Sequence, residues 1–353
     1  MSRPGFSVFH MQQVGLNCFY EPSITAVQNF SASADAQKLK DAMKGFGTDE
    51  KTLIEVLGKR VSFQREEIAD AYLRDHRKPL LDEVKSETSG DFRETLVKLV
   101  RDLLFVEAQG MHKAMKGIGT SERRLNQILM GKNNADLERL SEYYQLVLGD
   151  HKEDANRTLI GDVNSETSGQ YRHALCYMLD YKRDEYAGDS MRTAIDRGGA
   201  SVIDERLVQD DARIVYECLT SRDKNLDPVC QILFTRSYIH VEALCKEFAM
   251  AYNLALYDVC DAELSSDFRN LVLDLLEYCE ERSLYFARLI RSTMAGLGTK
   301  DDDLMRLIIT RSEIDLASIM AAYESTYRKT MIDDIKGDTS GDYQRLLLAL
   351  CGC

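Results

Sequence analysis

The chain repeats itself, and no other feature restricts its fold as strongly. Met43-Lys44-Gly45-Phe46-Gly47-Thr48 returns as Met115-Lys116-Gly117-Ile118-Gly119-Thr120 and as Met294-Ala295-Gly296-Leu297-Gly298-Thr299. Downstream of these lie Glu87-Thr88-Ser89-Gly90, Glu166-Thr167-Ser168-Gly169 and Asp338-Thr339-Ser340-Gly341. From the second glycine to the acid is 40 residues in the first and last copies and 47 in the second, which places a seven-residue insertion around Asp150 to Ala155. A degenerate copy lies between. Aligning Gln231-Ile232-Leu233 with Gln127-Ile128-Leu129 puts Leu219, Ser221 and Asp223 where the methionine and glycines stood, and the acid is Glu263, again 40 residues on. Four such modules must share buried faces, which predicts one packed array.

Each module reads as helix. After the acid element the apolar residues step at i, i+3, i+4, i+7: Tyr171, Ala174, Leu175, Met178; then Phe268, Leu271, Val272, Leu275; then Tyr343, Leu346, Leu347, Leu350. That is one face of a helix, not the alternation of a strand. Gly47-Thr48-Asp49-Glu50 reads as a helix start with acids in its first turn. With only 4 prolines in 353 residues and about five short helices per module from the turn signals, the expected class is all-α. The boundaries expected are an arm over 1–34, repeat 1 over 35–105, repeat 2 over 106–180, an extended linker over 181–212 that divides the chain into halves, repeat 3 over 213–282 and repeat 4 over 283–353.

A formal net charge of −13 argues against nucleic acid as a partner and against direct adhesion to an anionic membrane. Any such contact needs a cation between the surfaces. No apolar run approaches the roughly 18 residues of a membrane span, and the N-terminus lacks the pattern of a secretory signal. The 9 cysteines, Cys18, Cys176, Cys218, Cys230, Cys245, Cys260, Cys279, Cys351 and Cys353, contain no C-x-x-C pair and read as small apolar residues on helix faces in a reducing cytosol.

The paired loops suit calcium. Calcium takes about 6–8 oxygens, commonly mixing backbone carbonyls, a carboxylate and water. A G-x-G loop can aim several carbonyls at one point, because glycine accepts positive φ. The distant acid then closes the shell from a second loop. Few charges and open water positions imply weak binding in free solution, on the order of 10⁻⁴–10⁻³ M. A lipid phosphate can fill an open position, so calcium and lipid affinities become linked. No strand precedes the G-x-G, no Walker lysine-serine follows it and no D-x-D-x-D-G loop occurs, so nucleotide and EF-hand readings fail.

The M-K-G-x-G-T and E/D-T-S-G pattern, four times over roughly 30–353, resembles the annexin family, as do Ile335-Lys336-Gly337-Asp338-Thr339-Ser340-Gly341-Asp342-Tyr343 and Leu350-Cys351-Gly352. The resemblance implies four five-helix repeats in a curved disc, calcium loops on the convex face and the N-terminal arm on the concave one. Carried over by position, the ligands would be Met43, Gly45, Gly47 and Glu87; Met115, Gly117, Gly119 and Glu166; and Met294, Gly296, Gly298 and Asp338. Minor sites would use Thr48 with Glu50, Thr120 with Glu122 and Thr299 with Asp301. Repeat 3 departs from the pattern: Ser221 and Asp223 replace the glycines, Lys224 the threonine, and Pro228 follows, so no ordinary site is expected there. The insertion in repeat 2 leaves the aim of Glu166 open. The family's central polar channel would fall on Glu107, Gln127, Lys132 and Arg306, with Gln127 where an acid is common.

The function expected is Ca2+-dependent binding to acidic, phosphatidylserine-type membranes, with scaffolding, aggregation or trafficking as the outcome and self-association on the membrane. The other reading is a calcium-independent cytoskeletal scaffold that acts through residues 1–34 and the linker. No enzyme is expected: His10, His76, His112, His151, His173 and His240 form no H-E-x-x-H or H-x-H pair. Location is expected to be cytoplasmic and peripheral on membranes, with cell-surface exposure by a signal-free route left open. Asn29-Phe30-Ser31 and Asn156-Arg157-Thr158 match a glycosylation pattern, Lys336-Gly337-Asp338 an integrin-type tripeptide, and Ser2, Ser7, Ser23 and Thr25 are phosphorylation candidates; none carries the argument.

Overall fold

The computed structural model describes residues 20–45, 47–117, 119–152, 156–296 and 298–353. Every regular element among them is helical. Repeat 1 comprises helices Ala32–Ala42, Glu50–Leu57, Ser62–His76, Leu80–Glu87 and Gly90–Val100. Repeat 2 comprises Leu103–Met115, Glu122–Leu129, Asn134–Asp150, Leu159–Glu166 and Gly169–Leu179. Repeat 3 has Glu205–Thr220, Asp227–Thr235, Tyr238–Tyr252, Leu256–Glu263 and Ser266–Glu280; repeat 4 has Arg282–Met294, Asp301–Ser312, Leu316–Tyr327, Met331–Asp338 and Gly341–Leu350.

Local chemistry sets these ends. Side chains of Ser31, Asp49, Asn133, Thr158, Asp204, Ser237 and Thr330 accept from first-turn amides, satisfying donors that a helix start leaves open. The third helices of repeats 1, 3 and 4 each stop on a left-handed residue, Arg77, Asn253 or Arg328. In repeat 2 that left-handed turn is delayed to Lys152. Its third helix has 17 residues where repeats 1 and 3 have 15. The insertion thus lengthens a helix as well as the loop after it. Residues 153–155 lie outside the described set.

The chain forms two compact units, one of residues 20–106 and 286–353, the other containing 107–285. The pairing is repeat 1 with repeat 4, and repeat 2 with repeat 3. This corrects the expectation that the linker divides the chain into halves: residues 181–204 lie inside the second unit. The linker is also shorter and more ordered than expected. It holds helix Gly188–Arg197 and a 3-10 turn Gly199–Val202, and the first helix of repeat 3 begins at Glu205, capped by Asp204.

In the 20–106/286–353 unit, the buried Glu313 carboxylate accepts from the Ser62 amide at 2.8 Å and hydroxyl at 2.9 Å, and pairs with buried Arg65 at 2.8 Å. In the 107–285 unit, Asn126 donates to Asp274 at 3.0 Å and accepts from the Tyr171 hydroxyl at 2.9 Å. Around these polar ties the shared faces are apolar, with Leu39, Leu53, Leu96, Leu346 and Leu347 buried in one unit and Leu140, Leu175, Val229, Leu244 and Leu271 in the other. The same ion pair recurs at the same spacing in repeats 1 and 3, Arg60 to Asp35 and Arg236 to Asp211, each 2.8 Å. Five cysteines, Cys230, Cys245, Cys260, Cys279 and Cys351, are buried, and burial pushes the thiols of Cys230, Cys260 and Cys279 up to about 12, as suits packing residues. Cys18 and His10 lie outside the described residues.

Burial alone would raise the Asp211 carboxyl, but hydrogen bonds from His240, at 2.9 Å, and Arg236 hold it below its ordinary value. A depressed folded value means that this stabilisation is present above about pH 4 and fades as pH falls through the lower folded value. Asp211→Asn should lower the unfolding free energy at neutral pH by about 3 kcal/mol, read by urea titration. Wild type should then lose more stability than the variant between about pH 4 and pH 2.

Candidate metal site

In repeats 1, 2 and 4 the first helix ends at the motif methionine or just before it, and the loop closes by one backbone bond: Asp49 N to Ala42 O at 2.9 Å, Ser121 N to Ala114 O at 2.8 Å, Lys300 N to Thr293 O at 2.8 Å. The glycines supply the turn. Gly45 and Gly47 have φ of 100° and 86°, and the pairs Gly117/Gly119 and Gly296/Gly298 repeat those values within 16°, a region costly for residues with a Cβ. Met43, Met115 and Met294 bury their side chains, so only their carbonyls are available at the loop. Phe46, Ile118 and Leu297, at the tips, lie outside the described residues.

The acid arrives from the second loop, at the same end of the module. The Thr48 hydroxyl donates to the Glu87 carbonyl at 2.9 Å, Thr120 to Glu166 at 3.2 Å and Thr299 to Asp338 at 3.2 Å. These three bonds join the two loops of each module, and in repeat 2, despite the insertion, the backbone of Glu166 meets Thr120 as its counterparts meet Thr48 and Thr299. Arg157 holds the end of the inserted loop, gripping Asp162 with Nε at 2.9 Å and Nη2 at 2.8 Å, while the Tyr144 hydroxyl donates to Asp162 at 2.6 Å. The carboxylates of Glu87, Glu166 and Asp338 make no hydrogen bond or ion pair among the described residues. They are acceptors without donors, as a cation site requires.

The position of Asp162 exposes a signal that the motif reading missed. One helical turn before each candidate ligand acid stands a second acid, Glu83, Asp162 or Asp334. Glu83 and Asp162 are buried and Asp334 partly so, and all three are ion-paired: Lys40 and Lys78 hold Glu83 at 3.1 Å and 2.7 Å, and Arg291 at 3.0 Å together with Lys329 and the Tyr323 hydroxyl holds Asp334. Burial opposes ionisation of Glu83 and Asp334, yet these partners keep both below the ordinary carboxylate range. The anchored turn fixes the helix that delivers the exposed acid. Repeat 3 has Val259 at this position. The E/D-x-x-x-E/D spacing was visible in the sequence, and its burial was not.

Repeat 3 is built differently. Its first helix runs through Thr220, two residues past the point where Ala42 ends its own, and Ser221 has φ of −67°. Neither Ser221 nor Asp223 takes the positive φ of the glycines in the other three loops, so the backbone of this loop follows a different path. Lys224 reaches across instead. Its ammonium lies 3.1 Å from the Glu263 carbonyl and 2.5 Å from Oε2, occupying both the threonine's place and the space that a cation would need.

Thr48, Glu50, Thr120, Glu122, Thr299 and Asp301 lie at the starts of the second helices, next to their loops. In the 20–106/286–353 unit, Glu50, Glu87, Asp91, Asp301, Asp338 and Asp342 line one cavity of about 440 Å³. Burial, then the charges of Asp91 and Asp338, push the Asp301 carboxyl up. Arg345 pairs with Asp342 and the Tyr343 hydroxyl bonds Asp301; the density of the remaining carboxylates still favours a cation nearby.

Of the channel candidates, buried Glu107 pairs with half-buried Lys132 at 2.8 Å, and Gln127 is buried in the same 107–285 unit. Arg306 belongs to the other unit, buried, with Asp303 at 3.7 Å. Of the arm, residues 1–19, which include Ser2 and Ser7, lie outside the described set. Beyond them the chain is tied to repeat 4: Ser23 and Ile24 amides both donate to the Ser312 carbonyl at 2.9 Å and 3.0 Å, and the Ser23 hydroxyl donates to Leu350 at 2.6 Å. No helix among the described residues is long and apolar enough to cross a membrane.

The family profile described as Annexin matches residues 34–99, 106–178, 210–275 and 285–350. Annexin B22 of Schistosoma mansoni is 37% identical over 335 residues, covering 94% of this chain and 92% of its own length. Annexin A4 of Bos taurus is 33% identical over 332 residues, covering 94% and 97%. The crystal structure of calcium-bound annexin (Sm)1 superposes with a TM-score of 0.93 at 36% identity, covering 98% of this chain and 97% of that one. Four matched repeats, five helices in each, and relatives aligned almost end to end lead to one statement: this chain belongs to the annexin family.

Proposed function

We propose that this chain binds acidic phospholipid membranes through calcium held in three loop pairs, those of repeats 1, 2 and 4. Calcium-dependent phospholipid binding goes with the family. The residue assignment rests on one contrast: among the described residues Glu87, Glu166 and Asp338 have no cationic partner beside their glycine loops, whereas Glu263 is taken by Lys224.

The carbonyls of Met43, Gly45 and Gly47, with the Glu87 carboxylate, would hold one ion; Met115, Gly117, Gly119 and Glu166 a second; Met294, Gly296, Gly298 and Asp338 a third. Calcium supplies a positive centre with coordination positions open to phosphate oxygens. The protein supplies position. The threonine hydroxyls fix the two loops together, and the ion-paired acids Glu83, Asp162 and Asp334 fix the helix beneath. Three weak sites on one chain reinforce each other through effective concentration, so adsorption should rise steeply with calcium. A chain of net charge −13 then reaches an anionic surface because the cation neutralises both sides. On the membrane, this predicts scaffolding, aggregation or trafficking, with self-association of adsorbed copies.

The measurement is sedimentation with phosphatidylserine vesicles. The protein should pellet in millimolar calcium and return to the supernatant with chelator; pelleting that ignores chelator defeats the proposal. Glu87→Gln combined with Asp338→Asn should raise the calcium midpoint at least about tenfold. An unchanged midpoint rejects those ligands. Asp334→Val, which copies the repeat 3 residue at that position, tests the supporting helix: the calcium requirement should rise while every proposed ligand remains in place. Identical calcium titrations for that variant and wild type would show that the anchor does not position Asp338.

A further inference from the structure

Each proposed calcium site draws its ligands from two segments, the loop after the first helix and the acid ending the fourth. Its affinity therefore depends on how firmly those two helix ends are held together. One tie is common to all three modules, the threonine hydroxyl on the carbonyl of the acid. One turn beneath it the modules differ. In repeat 1, Lys40, three residues before Met43, reaches from helix Ala32–Ala42 to Glu83 on helix Leu80–Glu87 at 3.1 Å. In repeat 4, Arg291, three residues before Met294, reaches from helix Arg282–Met294 to Asp334 on helix Met331–Asp338 at 3.0 Å. Its guanidinium also donates to the Tyr323 hydroxyl at 3.2 Å. Each ion pair is a second rung between the ligand-bearing helices.

Repeat 2 has the acid but not the rung. The residue three before Met115 is His112. Its ring stacks on His151, with centroids 4.6 Å apart and planes at 18°, and stands edge-on to Tyr144 at 6.2 Å. Asp162 is bonded by Tyr144, from the third helix, and by Arg157, from the turn that leads into its own helix. Lys78 and Lys329 stand at the Arg157 position in repeats 1 and 4 and pair with the acids there. That contact is therefore shared by all three modules, and it does not reach the first helix. Among the described residues no side chain of helix Leu103–Met115 bonds Asp162. Repeat 3 has Tyr216 and Val259 at the two rung positions, and there the acid Glu263 is held by Lys224.

We propose that Lys40 and Arg291 are positioning residues for calcium, and that the repeat 2 site, with His112 in their place, is the weakest of the three. This rests on the membrane-binding function proposed above and ranks its sites. Two rungs a turn apart fix both the separation and the angle of the two helix ends, and the inner rung is the stronger, being charge-assisted. A single hydroxyl rung leaves a pivot. Calcium that binds a pivoting pair has to order it, and the affinity falls by the fraction of time the pair is out of place. Little fold stability is involved: Lys40 is 31% exposed and Arg291 42%, and ion pairs so exposed contribute little to folding.

The test is the calcium midpoint for sedimentation of the full chain with phosphatidylserine vesicles. Failure of wild type to pellet in calcium sinks the membrane-binding function itself; the variants bear only on the ranking of its sites. Glu166→Gln should raise the midpoint less than Glu87→Gln or Asp338→Asn does. Lys40→Met should raise it about fivefold, the lower end for coupled positions, and Lys40→Arg, which keeps a cation opposite Glu83, should restore it. Beside Glu87→Gln, Lys40→Met should add nothing, because the site it positions is already lost. His112→Lys supplies the missing rung in repeat 2 and should lower the midpoint of wild type but not that of Glu166→Gln. Three results overturn the proposal: a midpoint that Lys40→Met leaves unchanged, a Lys40→Met shift that persists in full beside Glu87→Gln (a loosened fold, not a misplaced ligand), or a Glu166→Gln shift as large as that of Glu87→Gln.

Discussion

A single hydrogen bond, from the residue after each G-x-G loop to the carbonyl of an acid about 40 residues later in the chain, sets what each module can do. Where that residue is threonine, the bond uses a neutral hydroxyl and leaves the acid's carboxylate without an ion pair among the described residues, beside a positive-φ glycine loop. Where it is lysine, the same carbonyl is held, but the ammonium also takes the carboxylate. Both versions bring the two loops together. Only the first leaves the carboxylate without a cationic partner among the described residues, which is the condition the proposed calcium sites need. Lys224 and Glu263 are each about 40% exposed, so their pairing adds at most about 1 kcal/mol to stability. Its consequence is occupancy of a site rather than strength of a fold.

The support beneath the loops follows the same division. Repeats 1, 2 and 4 carry a paired acid, buried or nearly so, one turn before the exposed one, whereas repeat 3 has Val259 there. Ion-paired acids of this kind add little net stability, because desolvation offsets attraction. What they fix is direction: a helix whose last turn is tied by two or three charge-assisted bonds delivers its terminal carboxylate to one place. Glycine loop, threonine bond and inner acid are present together in three modules and lost together in the fourth. That co-occurrence is what a common role for the three features would produce.

Most of the fold was legible because its signals are local. Helical period, capping residues and the repeat spacing all act within a few turns, and every module resolves into five helices. The pairing of repeat 1 with repeat 4 was not legible, because it depends on contacts such as Arg65 with Glu313, nearly 250 residues apart. Loop positions were legible through glycine, since the backbone conformation itself demands that residue. The roles of Glu83, Asp162 and Asp334 were not, because an acid one turn inside a helix looks like a solvated face until burial is known. Lys224 was readable as a repulsive charge, though not as a side chain long enough to reach Glu263 Oε2.

The linker shows how one excess segment is held against the repeats it joins. A connection of this length carries an entropic cost in ordering, and here two features repay it: the Asn134 clamp and a small apolar cluster on Ile239. Both require Arg183 to enter the interior, since Asn134 holds its backbone on either side of the side chain. The guanidinium is buried, and the neighbouring acids Asp184 and Glu185 bond instead to Arg236 and the Asn134 amide. Arg60 and Arg236 show the alternative, each bonded to an inward-facing aspartate of its own repeat. Arg183 has carbonyls and a tyrosine face in place of that carboxylate.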